Sequence, residues 1–317
     1  MDFVKETEKA EKRICSYVRK TPLEYSPFLS KEGKSRVYLK LENLQLTGSF
    51  KIRGAINKLL SLSQEDKEKG VITSSSGNHG AAFAYITSKL DIEGTIYLPK
   101  NASEAKIASL RSYETNLEFH GYDCVQTETH ARNLSLEKGV VFVSPYNDPE
   151  IIAGQATIGI EIFEQLAGID VVLVPVGGGG LISGLAGYLK SINKNIEVIG
   201  CQPINSAVMY ESIKQDRIVN IESLDTISDG TAGGIEENSI TFNFCKEYVD
   251  DFILVSELEI KESIRLILQH HHMLIEGAAA LTVSSFLKNK YEFEGKNVVL
   301  IISGAKISLE KLKEILC

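Results

Sequence analysis

The sequence lacks net positive charge: 34 Lys and Arg stand against 42 Asp and Glu, a formal charge of −8 over 317 residues. This argues against a general affinity for nucleic-acid backbones or anionic lipid, both of which need a concentrated positive field, and makes a small molecule the expected partner. Paired cysteines are missing too. The five present, Cys15, Cys124, Cys201, Cys245 and Cys317, are far apart, odd in number and never spaced Cys-x-x-Cys, as befits reduced thiols in a cytosol. The chain opens with mixed charge rather than a basic segment and an apolar core, so no signal peptide is visible and a cytoplasmic location is expected. Long apolar runs are scarce: the one uncharged stretch near membrane-spanning length, Val171 to Leu189, contains Pro175 and four consecutive glycines, which lipid would not tolerate in mid-helix. It reads as a strand, a loop and a helix. No repeat, low-complexity tract or flexible linker marks a domain boundary.

What is present is an alternation. Phe3 to Lys20 reads as a packing helix, and Val37, Leu39 and Leu41 alternate as in a half-buried strand. Strand-like and helix-like segments then take turns: Val71 to Thr73 and Ala81 to Leu90; Thr95 to Leu98 and Ser103 to Tyr113; Val140 to Val143 and Ile151 to Leu166. The pattern continues with Val171 to Val176 and Leu181 to Ile192, Ile196 to Cys201 and a helix after Asn205, and Val298 to Ile302 and Leu309 to Leu316. Such an order predicts an α/β protein whose mainly parallel sheets are covered by helices on both faces. Asp225 to Asn243 is glycine-rich and weakly periodic, so it is either a surface loop or part of a site.

Three motifs carry chemistry. Gly177-Gly178-Gly179-Gly180 joins an apolar strand to a helix, where backbone N–H groups and the helix N-terminus can cradle a phosphate. A tight turn alone rarely needs four glycines. The other familiar phosphate loops do not apply: Gly-x-x-x-x-Gly-Lys-Ser/Thr is absent, and Glu197, the one acidic residue at dinucleotide-binding distance, begins the next strand. Ser74-Ser75-Ser76-Gly77-Asn78-His79-Gly80 is a second strand-loop-helix junction, with more hydroxyl, amide and backbone donors than a helix cap needs, and it suits a carboxylate. Lys51, behind the Gly48 turn, starts a helix as an amine that desolvation could keep neutral. His270-His271-His272 is not a metal site, because consecutive helix residues point about 100° apart; a helix C-terminus accounts for it better.

Together with Arg19-Lys20-Thr21-Pro22-Leu23, Lys40 to Gln45, Ser49 to Ala55, Ile152-Ala153-Gly154-Gln155, Asp229-Gly230 and Ser303-Gly304, these motifs resemble the fold-type-II pyridoxal phosphate enzymes. Within them the chain is similar to the threonine/serine dehydratase and serine racemase group, from about Ile14 to the C-terminus. The resemblance implies a fold like that of the tryptophan synthase β chain. A large domain (1–46 and 146–317) would hold the cofactor against an inserted small domain (47–145), in a homo-oligomer. It implies that Lys51 holds the aldehyde of pyridoxal 5'-phosphate as a Schiff base and later acts as base at Cα, with Phe50 packed near the ring. Asn78 would bond the 3-hydroxyl, Gly177, Gly178, Gly179, Gly180 and Leu181 the phosphate, and Ser303 the pyridine nitrogen. Ser75, Ser76, Asn78 and His79 would frame the substrate carboxylate, and Glu276 would take a supporting role.

The implied reaction is β-elimination from L-threonine or L-serine to ammonia and a 2-oxo acid. A neutral Ser303 would not keep the pyridine nitrogen protonated, which favours prompt elimination. Ser76 is the residue that serine racemases of the family carry as the second acid/base, so racemisation stands as an alternative, beside a 3-hydroxyaspartate ammonia-lyase or a non-catalytic binding protein. Departures exist. Gln202-Pro203 replaces the glutamate of metal-binding members, so no metal is expected there, and Ser303-Gly304-Ala305-Lys306 replaces the more usual Ser-Gly-Gly-Asn. The chain stops soon after Ser303, so feedback by isoleucine through a C-terminal regulatory domain is not expected.

Overall fold

Val171 to Val174 and Val298 to Ile301 are apolar at every position, as strands buried on both faces must be. In the computed structural model, which describes residues 1–317 except the side chain of Ala105, they form the centre of a six-stranded sheet. Ten strands occur among the described residues: β1 (Leu23–Tyr25), β2 (Arg36–Lys40), β3 (Val71–Ser74), β4 (Gly94–Leu98), β5 (Asn116–Phe119), β6 (Val141–Phe142), β7 (Val171–Pro175), β8 (Glu197–Pro203), β9 (Asp251–Val255) and β10 (Asn297–Ile301). The six-stranded sheet has the order β1-β2-β10-β7-β8-β9, parallel except for β1 at its edge. A second, four-stranded sheet, β5-β4-β3-β6, is parallel throughout, and its strands all lie between β2 and β7 in the chain.

Alternate residues of the central strands feed separate cores. Val171, Leu173, Val298 and Leu300 pack with the helices Glu257–His271 and Gly277–Lys288, whereas Val172, Val174, Val299 and Ile301 pack on the other face with Pro149–Gln165 and Gly180–Ile192. Ile52, Ile56 and Leu59 of the helix Lys51–Ser61 join Phe83, Ile96 and Leu98 in the core of the smaller sheet. That helix also crosses Pro149–Gln165 with its backbone in contact: a Cβ on Gly154 would lie 2.7 Å from the Cα of Gly54.

The helix Lys51–Ser61 is tied to the larger sheet by buried charge. Arg53 pairs with Glu42 at 2.8 Å and with Glu161 at 2.7 Å, and Lys40 meets the other oxygen of Glu161 at 2.5 Å. None of the four side chains is more than 11% exposed. Burial disfavours the charged guanidinium, but the two carboxylates outweigh it and raise the Arg53 pKa above its usual value; Arg53 and Lys40 together hold Glu161 low against the same burial.

Several elements differ from the sequence reading. The first helix ends at Ile14 rather than Lys20, and β1, β5 and the helix Cys124–Lys138 carry too little apolar periodicity to be read, while β9, apolar from Phe252 to Val255, lies outside the alternation read from the sequence. β5 is an exposed edge strand, so alternation has no face to mark. The three histidines go separate ways at a helix end: His270 stacks on Phe28 at 3.8 Å, His271 Nε2 lies 2.9 Å from the Ser26 hydroxyl, and His272 caps in the left-handed region. Among the described residues no helix is long and apolar enough to cross a membrane.

Breaking the buried cluster with Arg53→Met leaves Glu42 buried beside a single hydroxyl, Thr21. We expect a loss of about 3–5 kcal/mol in urea unfolding, against a far smaller one for Lys20→Met in the exposed pair with Glu164. Equal losses would show that the cluster is not a special anchor.

Candidate active site

Lys51 opens its helix from a backbone fixed on both sides. Phe50 N–H donates to Ser303 O at 3.1 Å, Ala305 N–H donates to Gly48 O at 2.9 Å, and Ser49 bridges Gly304. The end of β10 is thereby bound to the segment that precedes the lysine. Lys51 is half-buried, and its Nζ donates to Pro145 O at 2.7 Å and lies 5.3 Å from the Phe50 ring centroid. Burial lowers its pKa to about 8, with the Glu276 carboxylate opposing that shift. An amine of this kind is partly neutral near physiological pH and so can act as a nucleophile or base.

The glycine run has the geometry of an anion cradle. The helix Gly180–Ile192 starts from Gly179 at φ +88°, a left-handed conformation that suits glycine. Its first intrahelical bond is Ser183 N–H to Gly179 O, which leaves the N–H groups of Gly180, Leu181 and Ile182 without intrahelical acceptors. The loop is closely walled: a Cβ on Gly178 would lie 2.5 Å from the Tyr146 ring, and one on Gly177 2.9 Å from Thr231 Cα. Gln202 braces it from behind, donating to Val176 O at 3.2 Å and accepting from Tyr210 N–H at 2.9 Å.

Across the cleft the helix Asn78–Leu90 follows β3, its first bond being Ala81 N–H to Gly77 O at 3.1 Å. The N–H groups of Asn78, His79 and Gly80 are therefore free for a ligand. Gly80 permits this turn, since a Cβ there would lie 2.0 Å from Ser75 O. The Ser75 hydroxyl accepts from Gly77 N–H at 3.2 Å, and Ser76 is half-buried. The His79 side chain is turned away from the loop. Its ring turns inward, with Nε2 3.1 Å from both Thr73 Oγ1 and Val143 O, and burial, helped by the nearby Lys51 charge, drives its pKa down to about 3. A neutral imidazole committed beneath the loop cannot frame a carboxylate, so His79 can offer only its backbone N–H.

Ser303 Oγ and Asn78 Oδ1 are among the buried side-chain polar atoms that have no protein partner. Asn78 Nδ2 lies 2.9 Å from each oxygen of the buried Glu276, which also accepts from Lys306 N–H at 3.1 Å. Burial raises the Glu276 pKa to about 7 despite these bonds. Gly304 is needed beside it, because a Cβ there would lie 2.5 Å from Glu276 Oε1. Unpaired buried polar groups in a native site call for a ligand. An aldehyde-bearing heterocycle with a ring nitrogen, a ring hydroxyl and a phosphate fits them: the amine, Ser303 Oγ, Asn78 and the glycine cradle supply one partner each. Pro145, Tyr146 and Thr231 also line this region and were missed in the sequence, where only the proximity of Tyr146 to a strand end could have signalled them.

Residues 14–304 match the pyridoxal-phosphate dependent enzyme family. An L-threonine ammonia-lyase of Thermotoga maritima is 39% identical over 316 residues, covering 100% of this chain and 78% of that protein. The fold is similar to that of serine racemase from Dictyostelium discoideum (TM-score 0.89, 34% identity, 96% of this chain and 99% of that one). It is likewise similar to the processed threonine deaminase isoform 2 of Solanum lycopersicum (TM-score 0.91, 33% identity, 98% of this chain and 92% of that one). With a match over most of its length and relatives of this identity, the chain belongs to the pyridoxal-phosphate dependent enzymes.

Proposed function

We propose that this chain is an ammonia-lyase that deaminates L-threonine or L-serine by β-elimination, with Lys51 as the catalytic base. The observation that carries the reading is the half-buried Lys51 amine, with its pKa lowered to about 8, placed between a glycine anion cradle and a loop of free N–H groups. Similarity to threonine ammonia-lyases over the full chain supports the substrate class.

Pyridoxal 5'-phosphate, when bound, supplies the electron-withdrawing ring that stabilises negative charge at Cα. Lys51 would hold the aldehyde, the N–H groups of Gly177 to Leu181 would take the phosphate, and Phe50 would pack beside the ring. Ser303 would meet the ring nitrogen as a neutral hydroxyl, and Asn78, steadied by Glu276, would meet the ring hydroxyl. The substrate carboxylate sits on the Ser75 to Gly80 turn, held by the Ser75 and Ser76 hydroxyls and the backbone of Asn78 and His79. Once freed, the Lys51 amine would be the base that takes the Cα proton. The β-hydroxyl would leave as water, taking up that proton, and a second water would hydrolyse the resulting enamine to ammonia and 2-oxobutanoate or pyruvate.

In this reading residues 47–145 are a small domain inserted between 1–46 and 146–317; strands β3 to β6 all fall inside it. A cytoplasmic location, supported by the free cysteines, and a homo-oligomer, by resemblance, go with it. A second reading, serine racemase, draws on Ser76 and on the similarity to serine racemases.

Lys51→Ala is expected to abolish the Schiff-base absorbance band of the cofactor-loaded protein and to cut ammonia release from threonine by roughly 10²–10⁴-fold or more; full turnover in this variant would overturn the reading. Capture of the cofactor by apo protein should accelerate as pH rises through about 8, where Lys51 loses its proton. Glu276→Gln removes the charge that opposes this loss, so the midpoint should move to lower pH; a move upward would contradict the assignment. Chiral analysis of L-serine reactions separates the two readings. If racemisation is present, Ser76→Ala should eliminate it and spare pyruvate formation, whereas a panel of threonine, serine and 3-hydroxyaspartate yielding no ammonia at all would indicate a binding protein.

A further inference from the structure

We propose that Glu236 is a positioning residue for this reaction, through which Arg132 of the helix Cys124–Lys138 fixes the Pro145 to Asn147 segment against Lys51 and the glycine loop. The inference rests on the reading of Lys51 and Gly177 to Gly180 given above.

Glu236 lies in the long irregular segment before the helix Ile240–Tyr248, and its backbone N–H and both carboxylate oxygens are engaged. The N–H donates to Tyr146 Oη at 3.0 Å, Oε2 accepts from Asn147 Nδ2 at 2.7 Å, and Oε1 accepts from Arg132 at 2.5 Å. Arg132 is itself held, with its guanidinium 4.3 Å from the Phe142 ring centroid and bonds of 2.8 and 2.9 Å to Glu128. The two residues that Glu236 grips are neighbours of the reacting groups. Tyr146 lies flush on Gly178, Asn147 Oδ1 accepts from Ile240 N–H at 3.0 Å, and the peptide just before Tyr146 supplies the carbonyl that receives Lys51 Nζ. Glu236 therefore links a helix packed on the smaller sheet, through its carboxylate, to Asn147, and through its backbone N–H to Tyr146, which walls the phosphate cradle and follows the carbonyl that aims the lysine. The Arg132 and Glu236 side chains are 32% and 26% exposed, so an isolated pair here would be worth little; its value lies in what it orients.

A double-mutant cycle with Arg132→Met and Glu236→Gln tests this, read as the dissociation constant of pyridoxal 5'-phosphate from the apo protein by visible titration, with thermal unfolding measured in parallel. Each single change is expected to weaken the cofactor roughly tenfold, and the double change no further than the worse single one. At saturating cofactor kcat for threonine should fall while KM stays within about twofold, and Arg132→Lys should recover part of the loss. A cofactor affinity unchanged in both single variants, additive losses, or a fall in thermal stability alone would overturn the inference and leave Glu236 a mere brace. Should Glu236→Gln fail to fold, cofactor affinity in Arg132→Met and its recovery in Arg132→Lys separate the same two outcomes. Wild-type protein that binds no cofactor would remove the underlying reading as well, an outcome distinct from wild type and variants binding alike.

Discussion

The site depends on one buried constraint, the pairing of Arg53 with Glu42 and Glu161. Arg53 stands two residues after Lys51 on the same helix, so the two side chains leave the axis about 200° apart. Anchoring one inward directs the other toward the cleft. Because Glu42 follows β2 and Glu161 lies on Pro149–Gln165, the arginine closes on two elements of the larger sheet's layer while its own helix packs in the core of the smaller one. A purely apolar contact could fill the space, but it would permit sliding; bonds from two guanidinium edges to two carboxylates fix rotation as well as distance.

Burial then selects protonation states around the lysine. It lowers Lys51 to about 8 and His79 to about 3, and it raises Glu276 to about 7. All three shifts favour the neutral form, which is what removal of a proton from carbon by an amine requires. Glu276 works partly against the others, since its charge restrains the fall of the Lys51 pKa. A carboxyl that is itself reluctant to ionise does so less than a surface one would. The neutral hydroxyl of Ser303 belongs to the same pattern, with no charge placed where a ring nitrogen would sit.

Motifs whose chemistry lies in consecutive residues were legible in the sequence: the glycine run, the Ser75 to Gly80 turn, and the lysine behind Gly48. So were the buried strands, because Val171 to Val174 and Val298 to Ile301 are apolar without interruption. What escaped were groups that matter only through distant partners. Tyr146 has no local signal beyond its place after a strand end and gains its role from Gly178 and Glu236; His79 sits in a loop rich in hydroxyl, amide and backbone donors, yet its ring finds Thr73 and Val143 below the loop. A side chain's direction at a helix start depends on what the core offers it, and that is tertiary information.

The placement of the site follows from strand direction. Ser75 comes after β3, Pro145 after β6, Gly177 after β7 and Ser303 after β10, so each of these loops leaves the carboxyl end of a parallel strand. Such ends face helix N-termini, and Gly180 and Asn78 both begin helices with free N–H groups there. The bonds from Lys51 to Pro145 and from Asn78 to Glu276 show these edges in contact across the two sheets. Neither sheet holds the whole set: the glycine cradle and Ser303 lie on one, and the carboxylate turn and Pro145 on the other. Precise geometry at the reacting carbon therefore requires the layers to be locked together, which is why charged contacts such as Arg53 with Glu161 lie between elements rather than within them.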